Sequence, residues 1–153
     1  MQIADFLSEQ VVIPVLAGQT KVGVLQELAD SAAAKNLEID SQGLLSSLQE
    51  RERLGSTAIG EGIAIPHARL PGVSKFAAVF GRHPQGVDFE SLDGQPTRLF
   101  FLLVVPQEST GEHLKVLARV SRLMKDAGLR NSLMQAHDRS EIYRRLIEHD
   151  SKS

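Results

Sequence analysis

The sequence predicts an α/β (α+β) fold, in which a single domain contains a mixed β-sheet of about four to five strands flanked by helices. Residues 99–105 (LFFLLVV) are apolar at every position, as expected of a strand covered on both faces. Apolar side chains recur at helical spacing after Thr20 and again after Ser41. The length of 153 residues is typical of one domain with a substantial core. We therefore predict one domain over residues 1–153.

The first half of the chain is predicted to alternate short strands with helices. Its boundaries come from prolines, which end strands, and from polar residues suited to cap helices. The expected elements are a helical turn at Ile3–Leu7, a strand at Val11–Ile13 that ends at Pro14, a helix from an N-cap at Thr20 through Lys35, a second helix from Asp40 or Ser41 to Arg51, and a short buried strand at Ile63–Ile65 that ends at Pro66.

The second half is predicted to supply the rest of the sheet and three helices. Paired turn residues and a capping-box pattern mark its boundaries. The expected elements are a turn at Leu70–Ser74, a strand at Phe76–Gly81, further pairing at Val87 and Phe89, a tight turn at Asp93-Gly94, the central strand Arg98–Val105, a helix that begins at Ser109–Glu112 and buries Leu114, Leu117, Val120 and Met124, a short helix at Leu129–Ala136, and a last helix from Ser140 through Glu148.

Composition narrows the classes of function. Cysteine is absent, so disulfides and thiolate metal sites are excluded, and a reducing cytoplasm is the expected location. The longest apolar run has seven residues, against roughly 20 for a membrane-spanning helix. With 17 basic and 19 acidic side chains, the chain lacks the positive excess of a nucleic-acid binder. A soluble protein with a protein partner is the better expectation.

The most informative stretch is RERLGSTAIGEGIAIPHAR, residues 51–69. Its glycines, Gly55, Gly60 and Gly62, allow backbone N–H groups to turn toward an anion. Pro66 fixes the backbone before His67, so the imidazole is expected to be displayed on an extended, stiff segment. The stretch is compatible with a phosphate-sized concavity beside a histidine. An ordinary connection with one surface histidine is the alternative.

His113 and Arg51 are two further candidates for the same site. His113 lies in the first turn of the helix that follows the central strand, where open α/β sheets place their ligands. The positive end of that helix and a nearby cation both favour a neutral imidazole. Arg51 lies near a helix C-terminus, where it could equally complement the helix dipole or pair with a neighbouring glutamate. Arg53 is expected to point elsewhere, and the remaining histidines (His83, His137 and His149) are interpreted as surface residues.

The run GSTAIGEGIAIPHAR resembles the active-site signature of the enzyme IIA domains of the bacterial phosphoenolpyruvate-dependent phosphotransferase system. The class includes fructose, mannitol and nitrogen-regulatory members, and the free-standing nitrogen-regulatory branch is the most similar. The resemblance extends over a core of about Ile3 to Ile147. Relatives often have Asn where this chain has Glu61. A carboxylate near a phosphoryl group must point away or be paired.

The resemblance implies a role for each candidate. His67 would be phosphorylated by a phosphocarrier protein of the HPr type, with His113 in support and Arg51 stabilising phosphoryl charge. Ser56 and the glycines Gly55, Gly60 and Gly62 would bind phosphate. The transfer would need no cofactor and no metal, and regulatory targets of the nitrogen or potassium type would read the phosphorylation state. Oligomeric state and the individual target stay open.

Three alternatives remain at this stage. A sugar-specific enzyme IIA would pass phosphate to a separate permease subunit. A metal site could combine His67 and His113 with a carboxylate, since two histidines and one carboxylate are a common zinc set; the candidates are Glu61, Asp88 and Glu112. A pure binding module would dock on a target without being phosphorylated.

Overall fold

A computed structural model describes residues 1–152; Ser153, the last residue of the predicted domain, lies outside the described residues. Two short 3-10 turns (Ile3–Asp5 and Glu9–Val11) open the chain. The strands are β1 Val12–Ile13, β2 Ala58–Gly60, β3 Ile63–Ala64, β4 His67–Leu70, β5 Ala77–Val87 and β6 Thr97–Pro106. The helices are α1 Lys21–Lys35, α2 Ser41–Arg53, α3 Glu112–Met124, α4 Ala127–Gln135 and α5 Arg139–Ser151.

The six strands form one mixed sheet with β6 at its centre. β5 pairs antiparallel to one side of β6, whereas β3 and β4 pair parallel to the other side. β1 extends the sheet beyond β5, and β2 extends it beyond β3. The prediction of a mixed sheet flanked by helices, with residues 98–105 at its centre, is therefore confirmed. Among residues 1–152, no helix has the length and hydrophobicity needed to span a bilayer.

Aromatic packing on the two longest strands fills the core. Phe80 on β5 and Phe101 on β6 meet edge to face, with ring centroids 6.4 Å apart. Phe100 packs in the same manner against Phe89 at 5.2 Å. All four rings are fully buried, and such pairs contribute about 0.5–1.5 kcal/mol beyond their buried area. The central strand is thus fixed on both faces, as its unbroken apolar run predicted.

The strand predictions need correction on either side of Pro66. β2 was not predicted, and the chain was expected to leave the sheet at Pro66; instead, it rejoins β6 at once as β4. Pro66 has no N–H to donate, but its carbonyl accepts from the N–H of Leu103 at 2.9 Å. Residues 63–70 thus run parallel to β6 as one strand with a local break.

Two predicted helix starts are wrong as well. The N-cap of α3 is Gly111, not the expected capping box at Ser109. The last helix begins at Arg139, one residue before Ser140, because the carboxylate of Asp138 accepts the N–H of Glu141 at 2.9 Å. In contrast, Thr20 caps α1 as predicted, and Asp40, one of the two residues predicted as the cap of α2, is the one that caps it.

His83 was interpreted as a surface residue, but it is buried, with 1% of its surface exposed. Its Nε2 lies 2.9 Å from the carbonyl oxygen of Gly18. The neighbouring Arg82 is also buried and donates to the carbonyls of Pro14, Leu133 and Ala136. Polar neighbours in sequence did not indicate exposure here, because long-range backbone carbonyls accept hydrogen bonds from Arg82 and lie within hydrogen-bond distance of His83 Nε2.

Candidate active site

His67 is the first residue of β4, directly after the break at Pro66. Its Nδ1 lies 2.8 Å from the carbonyl oxygen of Ile65. A carbonyl oxygen can only accept, so Nδ1 carries the proton and donates. In the neutral ring, Nε2 then holds the free lone pair. The fold thus leaves Nε2 as the atom available to a ligand.

The surroundings of the half-buried His67 favour the neutral ring. Burial is the largest influence and lowers the pKa of His67 below its ordinary value. The hydrogen bond to Ile65 acts in the opposite direction, the charge of Arg51 lowers the pKa further, and the charge of Glu52 raises it. The net result is a lowered pKa, so the neutral form of His67 predominates at pH 7.

Arg69 lies on the same face of β4 as His67, because side chains two apart on a strand share a face. Its Nη1 donates to the carbonyls of Gln107 at 3.1 Å and Ser109 at 2.7 Å, just before α3. Its Nη2 lies 3.0 Å from Nδ1 and 2.9 Å from Nε2 of His113. Sequence reasoning missed this arginine, although its spacing from His67 on an extended segment was available as a signal.

The three residues predicted to share a site do line one cleft, hereafter the His67 cleft, of about 600 Å³ between α2, β4 and α3. Arg51 enters it from the last turn of α2 and donates to the carbonyl of Gly55 at 3.0 Å. Arg53 instead pairs with Glu50 at the surface. The lining residues are Ser46, Ser47, Glu50, Arg51, Leu54, His67, Ala68, Arg69, Val105, His113, Leu114 and Leu117.

Exposed leucines flank the charged centre of the His67 cleft. Leu54 is 84% exposed and Leu114 is 64% exposed. Leu114 was predicted to be buried in the α3 stripe, but Val116 and Leu123 are buried there together with Val120 and Met124. Both leucines line the His67 cleft and add apolar surface to it.

The predicted phosphate-binding residues lie beside the His67 cleft and do not line it. The Ser56 hydroxyl donates to the Phe89 carbonyl at 2.9 Å and accepts from the Ala58 N–H at 3.0 Å. Gly60 and Gly62 both have positive φ and form the turn between β2 and β3. Gly55 offers its carbonyl to Arg51. Gly62 lines a separate pocket that includes Asp93 and Arg130, so phosphate binding by these four residues stays a prediction.

Glu61 is directed away from His67. Its φ of 58° lies in the left-handed region, which Asn tolerates better than most residues do. Its carboxylate lies 3.0 Å from Nη2 of Arg130 on α4, and its N–H donates to Asp93 at 3.0 Å. The carboxylate is therefore paired elsewhere, as the sequence required of it.

The geometry provides no ligand set for the metal site considered as an alternative. Within the described part of the chain, no group of three or more histidine, aspartate or glutamate side chains is arranged to hold an ion. Asp88 accepts from the Glu90 N–H, and Glu61 pairs with Arg130. The partners of the two site histidines are instead a carbonyl and an arginine.

Comparison with known proteins gives a consistent assignment. The sequence profile of the family described as "Phosphoenolpyruvate-dependent sugar phosphotransferase system, EIIA 2" matches residues 5–149. A nitrogen regulatory protein of Bradyrhizobium diazoefficiens is 40% identical over 94% of this chain and 93% of its own length. A fructose-specific EIIABC component of Bacillus subtilis is 35% identical over 98% of this chain, which matches 24% of that longer protein.

Similarity in structure agrees with similarity in sequence. The crystal structure of the nitrogen regulatory protein IIA-Ntr from Neisseria meningitidis superimposes with a TM-score of 0.86 and 31% identity. The alignment covers 94% of this chain and 98% of that one. The chain therefore belongs to the EIIA 2 family of the phosphoenolpyruvate-dependent sugar phosphotransferase system.

Proposed function

We propose that this chain is a phosphohistidine carrier of a regulatory phosphotransferase system. His67 accepts a phosphoryl group from an HPr-type phosphocarrier protein, and target proteins of nitrogen or potassium metabolism respond to its phosphorylation state. The supporting observation is the free Nε2 of His67 in a cleft shared with Arg51, Arg69 and His113. The proposal includes a cytoplasmic location, because phosphoenolpyruvate, the source of the phosphoryl group, is made there.

The transfer step exchanges one nitrogen–phosphorus bond for another. The Nε2 lone pair attacks phosphorus in line, and the bond to the donor histidine breaks with its electron pair returning to the donor nitrogen. Arg51, Arg69 and His113 are positioned to offset negative charge on the equatorial oxygens. Because the bond formed and the bond broken are both phosphohistidine bonds, positioning and charge stabilisation are sufficient. The proposal includes neither a cofactor nor a metal.

A regulatory role is favoured over a sugar-specific one by the degree of sequence identity. The nitrogen regulatory protein of Bradyrhizobium diazoefficiens is 40% identical to this chain, whereas the fructose-specific component of Bacillus subtilis is 35% identical. That relative is also the observation behind the second candidate, a sugar-specific enzyme IIA that passes phosphate to a separate permease subunit.

Phosphorylation in vitro tests the proposal. The chain is incubated with phosphoenolpyruvate, an HPr-type carrier and the enzyme that charges the carrier. We expect a mass increase of one phosphoryl group, mapped to His67 under acid-avoiding conditions. His67→Ala should abolish it with an unchanged circular-dichroism spectrum, and the exposed His137→Ala should not. Phosphate found on His113, or retained after His67→Ala, would invert the assignment.

A second experiment separates the two roles. Unphosphorylated and phosphorylated chains are immobilised and compared for the proteins that they retain from a cell extract. Retention of a transporter or sensor kinase by one form only supports regulation. Rapid transfer of the phosphoryl group to a sugar-specific permease domain supports the second candidate instead.

A further inference from the structure

Glu52 is a nearly buried carboxylate next to Arg51 in the last turn of α2, and its side chain is 6% exposed. One oxygen accepts from the N–H of Thr57 at 3.1 Å, and the other accepts from the Thr57 hydroxyl. The same carboxylate lies 2.8 Å from Nζ of Lys21. Burial of a charge is costly unless it is paired and hydrogen-bonded. The contacts with Thr57 and Lys21 therefore offset the cost of burying the Glu52 carboxylate.

A continuous series of hydrogen bonds joins Glu52 to His67. The carboxylate holds Thr57 by two bonds. The Thr57 carbonyl accepts the N–H of Ile65 at 3.1 Å, and the Ile65 carbonyl accepts from Nδ1 of His67 at 2.8 Å. The Ile65 carbonyl, which selects the imidazole tautomer, therefore belongs to a residue that is hydrogen-bonded to Thr57, and Thr57 is in turn anchored on the buried Glu52 carboxylate.

Lys21 ties this anchor to two more segments. Its Nζ lies 3.0 Å from Glu90 and 4.9 Å from the centre of the Phe89 ring. Burial acts to lower the pKa of Lys21, but hydrogen bonds to Glu52 and Glu90 outweigh it and raise that pKa. Lys21 thus stays charged, and Glu52 keeps its counter-ion at neutral pH.

We propose that Glu52 is a positioning residue for phosphoryl transfer, which acts through Thr57 and Ile65 to hold the His67 imidazole with Nε2 directed into the cleft. Its nearly buried side chain does not line the His67 cleft, so we expect it to contact neither the phosphoryl group nor the carrier. Its loss should therefore reduce the rate of the transfer step and leave binding of the carrier unchanged. The kinetic part of this proposal rests on the proposed function.

Glu52 also acts on His67 through its charge. Of the charged groups that influence His67, Arg51 on α2 and His113 on α3 lower its pKa, whereas Glu52 raises it. Neutralising Glu52 leaves the positive charge of Arg51 unopposed. The pKa of His67 should then fall below its wild-type value, which provides a readout that does not depend on phosphorylation.

The experiment compares Glu52→Gln with Glu148→Gln. Glu148 is exposed on α5 and pairs loosely with Arg144, so its variant controls for the loss of one negative charge. NMR titration of the imidazole gives the pKa and tautomer of His67, and rapid-quench kinetics separate kcat from KM for the carrier. For Glu52→Gln we expect a lower His67 pKa and a kcat reduced about tenfold to hundredfold at unchanged KM, as misplacement of a reacting group produces. The control should match wild type.

A second pair of variants keeps the proposal testable if Glu52→Gln does not fold. Thr57→Val removes only the hydroxyl that binds Glu52, whereas Thr57→Ser retains it. We expect the valine variant to lose kcat at unchanged KM and the serine variant to recover most of it. Equal kcat in both, or Glu52→Gln with wild-type titration and kcat, would overturn the proposal.

These outcomes are distinct from failure of the proposed function. If wild-type His67 accepts no phosphate, the function fails, while the titration still reports whether Glu52 sets the state of the imidazole. If His67 is phosphorylated and the Glu52 and Thr57 variants behave as wild type, only the positioning role fails.

Discussion

Replacement of Arg69 by methionine tests how this arginine organises the His67 cleft. Methionine retains much of the aliphatic stem but removes the guanidinium. The change deletes the bonds to the carbonyls of Gln107 and Ser109 and the contact with His113. Those carbonyls lie just before α3, so the variant should free the segment that presents His113.

The magnitude follows from the two carbonyl bonds. A hydrogen bond to a charged group contributes about 1.5–3 kcal/mol when shielded from water. Arg69 is exposed, so we take roughly 1 kcal/mol for each bond. The free energy of unfolding should fall by about 2 kcal/mol, which lowers Tm by about 4–8 °C in a chain of this length. Loss of one donor to transition-state charge should also slow transfer by about 10².

Thermal unfolding followed by circular dichroism measures the first effect, and rapid-quench phosphorylation measures the second. Arg144→Met is the control, because Arg144 forms an exposed pair with Glu148, and its replacement should change stability by less than about 1 kcal/mol. A wild-type Tm and rate for Arg69→Met would refute the reasoning. A lowered Tm with a wild-type rate would restrict Arg69 to a structural role.

Three further predictions concern the other groups of the cleft. Arg51→Ala should slow transfer by about 10² and Arg53→Ala much less in the same rapid-quench assay; equal effects would mean that both only steer the carrier. His113→Ala should still accept phosphate on His67, but more slowly or with a less stable phosphoprotein. His113→Gln should partly restore the rate, because an amide can donate a hydrogen bond. Phosphopeptide mapping identifies which histidine carries the phosphate. Because burial holds the pKa of His67 below its ordinary value of 6.5, Nε2 keeps its lone pair until the pH falls below that lowered pKa. The transfer rate should therefore persist below pH 6.5, and an NMR midpoint at or above 6.5 would contradict this.

Sequence patterns predicted those parts of the fold that local rules determine. The central strand was identified because it is covered on both faces, and α1 and α2 because Thr20 and Asp40 accept from backbone N–H groups three residues on. β4 was missed because Pro66 is a strand terminator by local rules. Only pairing with β6, a long-range contact, returns the chain to the sheet.

The residues of the candidate site likewise divide into those that local patterns predict and those that depend on long-range contacts. His67, His113 and Arg51 were found from a motif and from their positions at the ends of elements. Arg69 was missed although it belongs to the quoted run, because its role depends on α3 passing within reach. Glu52 was considered only as a neighbour of Arg51, since nothing local indicates that a helix-terminal glutamate is buried against Lys21.

The position of β4 against the central strand determines how a phosphorylation signal could leave the molecule. His67 pairs with Leu103 on a strand that has neighbours on both sides, so its backbone has little freedom to move. A phosphoryl group adds about −1.5 to −2 charge between Arg51 and Arg69. We expect the phosphorylated and unphosphorylated forms to superimpose and to differ in surface potential. A target would then distinguish them by the sign of the electrostatic potential near His67. This discrimination should weaken as ionic strength rises, because salt screens exposed charges.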